Sequence, residues 1–464
     1  MRLPVLDYGN MLAPRLGGSG ISPEDLEGHL AERFRSAHAL VERRRGEGEM
    51  GFFDLPYASD SLERVKEMAE GFGQWFENVV VLGIGGSGLG AVTLRDALLG
   101  PAWNERSAEE REHYPRLYVL DNPDPHSVAA LLDRLDLRRT LFNVVSKSGS
   151  TAETMAQYLI VKGRLGEVVD AEKVRGHFLF TTDPDAGALR RIAEAEDVPS
   201  LPVPPNVGGR FSVLSAVGLL PGGVCGIDLD ALLAGARAME ERSRSDVLGR
   251  NPAGLLAVLL HAADTELGKP IHVLMPYCDR LRSFALWFQQ LWAESLGKTV
   301  RGPDGRPLEV GPTPLPAVGA TDQHSQVQLF MEGPRDKVVA FLAVADPGEP
   351  VTIPPLHPEI DQLGYLGGRT LADLLDAERV ATTEALRRQG RPSLTLEIER
   401  LDAFALGALF MLFEAATVYA GALYGVDPLD QPGVELGKRL TYGLLGREGH
   451  EPPSLAQPDP RWRV

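Results

Sequence analysis

The segment Asn78 to Gly90, NVVVLGIGGSGLG, constrains this chain more than any other. Apolar, β-branched residues run into a glycine cluster holding one serine, and a helical pattern with Leu94 and Leu98 follows. That pattern predicts a strand, a tight loop and a helix start, where backbone N–H groups and the helix dipole favour an anion. A second loop, SKSGSTAET from Ser146 to Thr154, follows the apolar run 141–145. It places four hydroxyls, Ser146, Ser148, Ser150 and Thr151, at another helix start. Two such loops in one α/β domain point to a phosphate held by hydroxyls and amides, hence to a sugar-phosphate site.

The first loop has a rival reading. Gly83, Gly85 and Gly88 match G-x-G-x-x-G, and the next strand, 117–120, ends at Asp121, an acid that could bond a ribose. Glycines at a βα turn also serve tight backbone geometry alone. The second loop favours phosphate over dinucleotide. A dinucleotide fold has no need of SKSGST, whereas a phosphate monoester needs several converging donors.

With 464 residues the chain has room for two to three domains and large cores. Its 44% hydrophobic and 24% charged residues describe an ordinary globular protein. A formal charge of -17 argues against nucleic acid as a partner. It also requires local donors, not the overall field, to attract any anionic substrate. Two cysteines, Cys225 and Cys278, cannot build a disulfide framework, which fits a reducing cytoplasm. The start, MRLPVLDYGN, lacks the apolar core of a signal peptide. The stretch 403–426 is almost wholly apolar, but Glu414 lies near its centre and alanine and glycine abound. A buried core helix fits this better than a bilayer span, so no membrane partner is expected.

Short apolar runs alternate with amphipathic segments, the pattern of parallel, doubly wound sheets. Strands are expected at 78–82, 117–120, 141–145 and 177–180, then at 271–275, 338–344 and 394–398. A helix is expected near 212–220, and PGG at 221–223 marks a boundary. The tail after Leu445, rich in proline, reads as an extended arm or a partly disordered one. Four further residues stand out. Glu294 lies at the edge of the apolar stripe Leu281, Phe284, Phe288 and Leu291, with Trp287 alongside. A carboxylate there suits proton transfer, though pairing with Lys298 at i+4 explains the same spacing. His324 sits among polar residues at a loop-to-helix junction, and no histidine has a recognisable metal spacing. Arg210 follows two glycines in GGRFS, which could let it reach a cleft or simply close a turn. Lys438 ends DQPGVELGK near a helix terminus, an ordinary place for a surface lysine.

Together, IGGSGLG, SKSGSTAET, GGRFSVLSAVGL, AESLGK, GATDQHSQ and LDQPGVELGK occur in the order found in glucose-6-phosphate isomerases, and the chain resembles that family from about Tyr8 to about Leu445. The resemblance implies an α/β fold of two SIS-type αβα sandwich domains with parallel doubly wound sheets, plus a C-terminal helical arm. The expected partition is a helical lead-in at 1–47, SIS domains at 48–222 and 223–430, and the arm at 431–464. By motif, Ser146, Lys147, Ser148 and Thr151 would hold the 6-phosphate, with Gly86 and Ser87. Glu294 would move the proton between C2 and C1, Arg210 would stabilise the enediolate, and Gln431 would line the sugar site. His324, oriented by Glu153, would assist ring opening with Lys438, and the resemblance implies a homodimer whose histidine enters from the partner subunit. No metal and no redox cofactor is implied. Two motifs depart from the family: WAESLGK replaces a methionine and an asparagine, and LDQPG replaces an aromatic residue and a tryptophan. The alternative is a non-catalytic SIS module that senses sugar phosphates. Such a module should lack Glu294, Arg210 and Lys438 together.

Overall fold

Two five-stranded sheets carry the chain, whose computed structural model describes residues 2–302 and 304–464. In chain order the strands are β1 Val5–Asp7, β2 Asn78–Leu82, β3 Arg116–Leu120, β4 Thr140–Ser146, β5 Phe178–Thr182 and β6 Ser200–Pro202, then β7 Ile271–Pro276, β8 Lys298–Arg301, β9 Pro307–Val310, β10 Thr313–Pro316, β11 Lys337–Asp346 and β12 Ser393–Arg400. The first sheet has the order β3-β2-β4-β5-β6 and is parallel throughout. The second has the order β1-β12-β11-β7-β10 and is parallel except for β1. β8 and β9 form a separate antiparallel hairpin.

All seven strands expected from apolar runs are present, with ends shifted by a residue or two. Their side chains explain why the runs are continuous. Val79 and Val81 enter one core with Leu117, Leu141 and Val145, while Val80 and Leu82 enter another with Phe142, Val144, Phe178 and Phe180. Successive side chains point to opposite faces, and a parallel sheet covered on both sides needs both faces apolar.

Two expectations need correction. The lead-in is not only helical, because β1 joins the edge of the second sheet beside β12 before the helix His29–Gly46 begins. PGG, read as a boundary, also lies inside a helix. Pro221 and Gly222 are buried inside the helix Ala216–Val224, and Gly223 packs toward Ala69 and Leu229. A small residue there serves close packing, not a turn.

The apolar stretch forms the helix Ala403–Tyr424 at the centre of the larger core. Gly407 faces the Leu232 carbonyl and Gly235 faces the Phe404 carbonyl so closely that a Cβ at either would overlap it. Backbone contact of this kind is why the helix is rich in small residues. Glu414 is fully buried within it, neither carboxyl oxygen has a hydrogen-bond partner among the described residues, and burial holds its pKa well above the usual carboxylate range.

Topology locates the crevice. From β2 the chain pairs β3 on one side and then crosses to β4 on the other, with Leu82 beside Val144. The loops leaving the C-terminal ends of β2 and β4 therefore emerge side by side at a topological switch point, where open α/β sheets bind ligands. These are the glycine loop and the hydroxyl loop.

Candidate active site

The glycine loop closes through a 3-10 turn, Gly85–Ser87, ahead of the short helix Leu89–Leu94. Gly85 takes a left-handed φ of 58°. A Cβ on Gly86 would stand 2.2 Å from the Gly209 carbonyl and 2.7 Å from the Arg210 amide nitrogen. The glycines thus let this loop lie flat against the segment that carries Arg210.

In the hydroxyl loop, Ser146 Oγ and Thr151 Oγ1 are 3.0 Å apart, and Ser148 Oγ accepts from the Ser150 amide at 3.3 Å. Thr151 is the N-cap of the helix Ala152–Gly166, yet its hydroxyl makes no capping bond. The first amides of that helix are left without a side-chain cap, which suits an anion. The Lys147 side chain has partners of its own. Its ammonium donates to the carbonyls of Pro205 and Val207 at 2.6 and 2.9 Å, and burial pulls its pKa down. The side chain ties the hydroxyl loop to the approach of Arg210, so the backbone of Lys147, not its charge, is what the loop presents.

Arg210 is 4% exposed, and its guanidinium is surrounded by acceptors. Nε donates to Ser295 Oγ at 2.7 Å. One terminal nitrogen reaches Gln431 Oε1 at 2.8 Å and Glu294 Oε2 at 3.4 Å. The other donates to the Asp430 carbonyl at 2.9 Å and to the Pro428 carbonyl at 2.5 Å. Burial draws the guanidinium pKa down, and the carboxylates of Glu294, Asp430 and Asp427 oppose that. A planar fork with all donors fixed cannot rotate.

Glu294 occupies the last turn of the helix Arg282–Leu296, whose stripe of Phe284, Trp287, Phe288 and Leu291 is buried. Its side chain is 37% exposed, more open than a position near the core suggests. Its two oxygens have separate partners, Arg210 on one and Gln290 Nε2, at 3.1 Å, on the other. Lys298 does not pair with this carboxylate. Its ammonium turns back to the Glu294 and Ser295 carbonyls instead.

The chain therefore brings Arg210, Glu294 and Gln431 into direct contact and lays Gly86 against Arg210. It does not bring His324 or Lys438 to them. His324 is exposed at the end of the 3-10 turn Thr321–His324, and among the described residues no hydrogen bond joins it to Glu153. Lys438 pairs with Glu435 at 2.7 Å on the exposed helix Glu435–Leu444. Sequence reading missed Gln290, whose amide lies against Gly85 and whose Oε1 is buried without a partner among the described residues. Its i−4 spacing from Glu294 was the available signal. Ser295, quoted only within its motif, proves to seat Arg210.

A carboxylate, a buried cation and two amide side chains beside a phosphate-type crevice can move a proton and steady a developing oxyanion. A family model described as phosphoglucose isomerase matches residues 60–448. The chain is 43% identical over 447 residues to a glucose-6-phosphate isomerase of Carboxydothermus hydrogenoformans, covering 96% of this chain and 95% of the relative. It is 44% identical over 451 residues to one of Rubrobacter xylanophilus, covering 96% and 99%. Among solved structures, a hypothetical protein of Thermus thermophilus matches with a TM-score of 0.85 at 39% identity, over 96% of this chain and 100% of that one. A glucose-6-phosphate isomerase of Chlamydia trachomatis matches with a TM-score of 0.73 at 25% identity, over 84% and 73%.

Proposed function

The chain belongs to the phosphoglucose isomerase family, and on that premise we propose how its site performs the family's reaction. It is an aldose–ketose isomerase that interconverts glucose 6-phosphate and fructose 6-phosphate. The observation that carries the site reading is the contact of Arg210 with Glu294 beside the two loops.

The hydroxyls of Ser146, Ser148 and Thr151 and the amides of Gly86, Ser87 and Lys147 take the 6-phosphate. That group does not react, and its binding energy positions the sugar. Glu294 removes the proton from C2 of the open-chain aldose and returns it to C1. The negative charge that develops on the enediolate faces Arg210, whose fixed fork needs no reorganisation as the charge forms. Gln431 and Gln290 line the sugar and hold the cation and the base in register. The hydrogen moves as a proton and Arg210 supplies the positive charge, so the scheme calls for no metal and no redox cofactor.

Ring opening needs an acid–base pair, assigned here to His324 and Lys438. Among the described residues no hydrogen bond joins either to Arg210 or Glu294, and His324 is exposed, which fits a homodimer whose sites each take His324 from the other subunit, where Glu153 orients it. This activity belongs to glycolysis and gluconeogenesis, and the cysteine usage fits a cytoplasmic enzyme. A coupled assay that converts fructose 6-phosphate to glucose 6-phosphate without added metal or nucleotide tests the reading. Sugar-phosphate binding without turnover would support the non-catalytic sensor instead.

A further inference from the structure

We propose that Lys298 is a positioning residue for the isomerisation, a clamp that holds the base-bearing end of its helix against the loop that carries Gln431. The inference rests on the assignment of Glu294 as the base.

Lys298 begins β8, two residues after the helix Arg282–Leu296 ends, and its side chain is 9% exposed. Its ammonium donates to the Glu294 carbonyl at 2.8 Å and the Ser295 carbonyl at 2.9 Å, and faces the Asp430 carboxylate at 3.5 Å. Two N–H groups thus meet carbonyls and the charge faces a carboxylate. The two carbonyls are among those a helix end leaves without intrahelical partners, and a cation there also matches the helix dipole.

What distinguishes this cap is which residues it joins. Glu294 and Ser295 are the two side chains of the helix that meet Arg210. Asp430 belongs to the loop whose Pro428 and Asp430 carbonyls and Gln431 side chain take the other three Arg210 bonds. The same loop is tied at Asp427 to Arg44, 3.0 Å away. Arg210 and Lys298 therefore grip one loop and one helix end from two sides. A solvated lysine would cap a helix equally well, whereas this one is enclosed by groups of the site. Burial pulls its pKa down, Arg210 adds to that, and Asp430 opposes it.

Without the ammonium, the helix-end carbonyls lose their partner and the Glu294 carboxylate is free to drift from the reacting carbon. A misplacement of about 1 Å in a reacting group is worth about 100-fold in rate. The phosphate loops stand on the first sheet and keep their own contacts. The expected signature is a loss confined to kcat.

Lys298→Met and Asp430→Asn test this with steady-state kinetics and competitive inhibition by inorganic phosphate. Lys298→Met should lower kcat by about 10- to 100-fold and leave phosphate inhibition within about twofold of wild type. Asp430→Asn, which loosens only the loop side, should show the same pattern with a smaller loss. The inference is overturned if Lys298→Met keeps kcat within about threefold, or if kcat and phosphate affinity fall together as in general loosening. Should Lys298→Met fail to fold, Asp430→Asn decides alone: an unchanged kcat rejects the clamp. Glu294→Gln serves as the control. If that variant stays active, the assignment of the base fails. If it is inactive while Lys298→Met turns over normally, only the clamp fails.

Discussion

The guanidinium of Arg210 lies 3.4 Å from the carboxylate of Glu294, a partner 84 residues away in sequence. The groups proposed as proton acceptor and as cation for the enediolate are thus in direct contact within one chain. Arg210→Lys keeps the charge but offers three donors in place of a five-donor fork, leaving acceptors among Ser295, Pro428, Asp430 and Gln431 unpaired. The expected loss in kcat is about 10²- to 10³-fold, the usual effect of removing one oxyanion donor. Steady-state kinetics on a variant shown to be folded by circular dichroism checks this. A kcat within about threefold of wild type would remove Arg210 from the mechanism.

The phosphate assignment predicts a different pattern. Ser148→Ala and Thr151→Ala each remove a hydrogen bond to a charged acceptor, worth about 1.5–3 kcal/mol. Both should raise KM and weaken inhibition by sugar-phosphate analogues while kcat changes less. Unchanged inhibitor affinity in both variants would place the phosphate on the Gly85–Ser87 turn alone.

These two expectations draw on parts of the molecule that were not equally legible in sequence. The sheets were readable because strands buried on both faces leave unbroken apolar runs, as in Asn78–Leu82. β10, Thr313–Pro316, escaped notice because its two prolines read as a break, which an edge strand tolerates. PGG read as a boundary because local pattern cannot reveal that Gly223 packs against Leu229. In the site, Glu294 was visible from helical spacing, but its contact with Arg210 is made by tertiary folding and leaves no local trace. Lys298 shows the limit of spacing most clearly. The i+4 relation points to a carboxylate pair, yet the helix stops at Leu296 and the ammonium turns back to the main chain instead.

Shared sites can be tested by mixing inactive subunits. On the proposed shared-site arrangement, a heterodimer of Glu294→Gln and His324→Ala chains has one site carrying both defects and one carrying neither. Co-expression should restore activity to roughly half the wild-type value per heterodimer if the two sites act independently. Purified heterodimers that stay inactive would mean that the histidine serves its own subunit or that the sites are coupled.

Glu414 makes a prediction about stability. Its pKa is raised in the folded chain, so the native state holds a proton that the unfolded chain releases near pH 4.5. The unfolded state then binds fewer protons, and stability falls as pH rises above that value, by about 1.4 kcal/mol per unit until Glu414 ionises in the fold. Glu414→Gln cannot ionise. The difference in Tm between variant and wild type should therefore move in the variant's favour from about pH 5 to about pH 8. A difference that stays constant over this range would mean that Glu414 is not held neutral by its surroundings.

Glu294 is proposed to take the C2 proton, and hydrogen exchange reads that step directly. Glucose 6-phosphate incubated in D2O with Glu294→Gln can be followed by NMR at C2 while inhibitor binding confirms an intact site. The amide keeps the shape of the side chain but cannot accept the proton, so the loss should fall on kcat with substrate affinity within severalfold of wild type. Exchange at C2 should fall with turnover to near the uncatalysed level. Deuterium entering C2 at the wild-type rate would show that another group is the base.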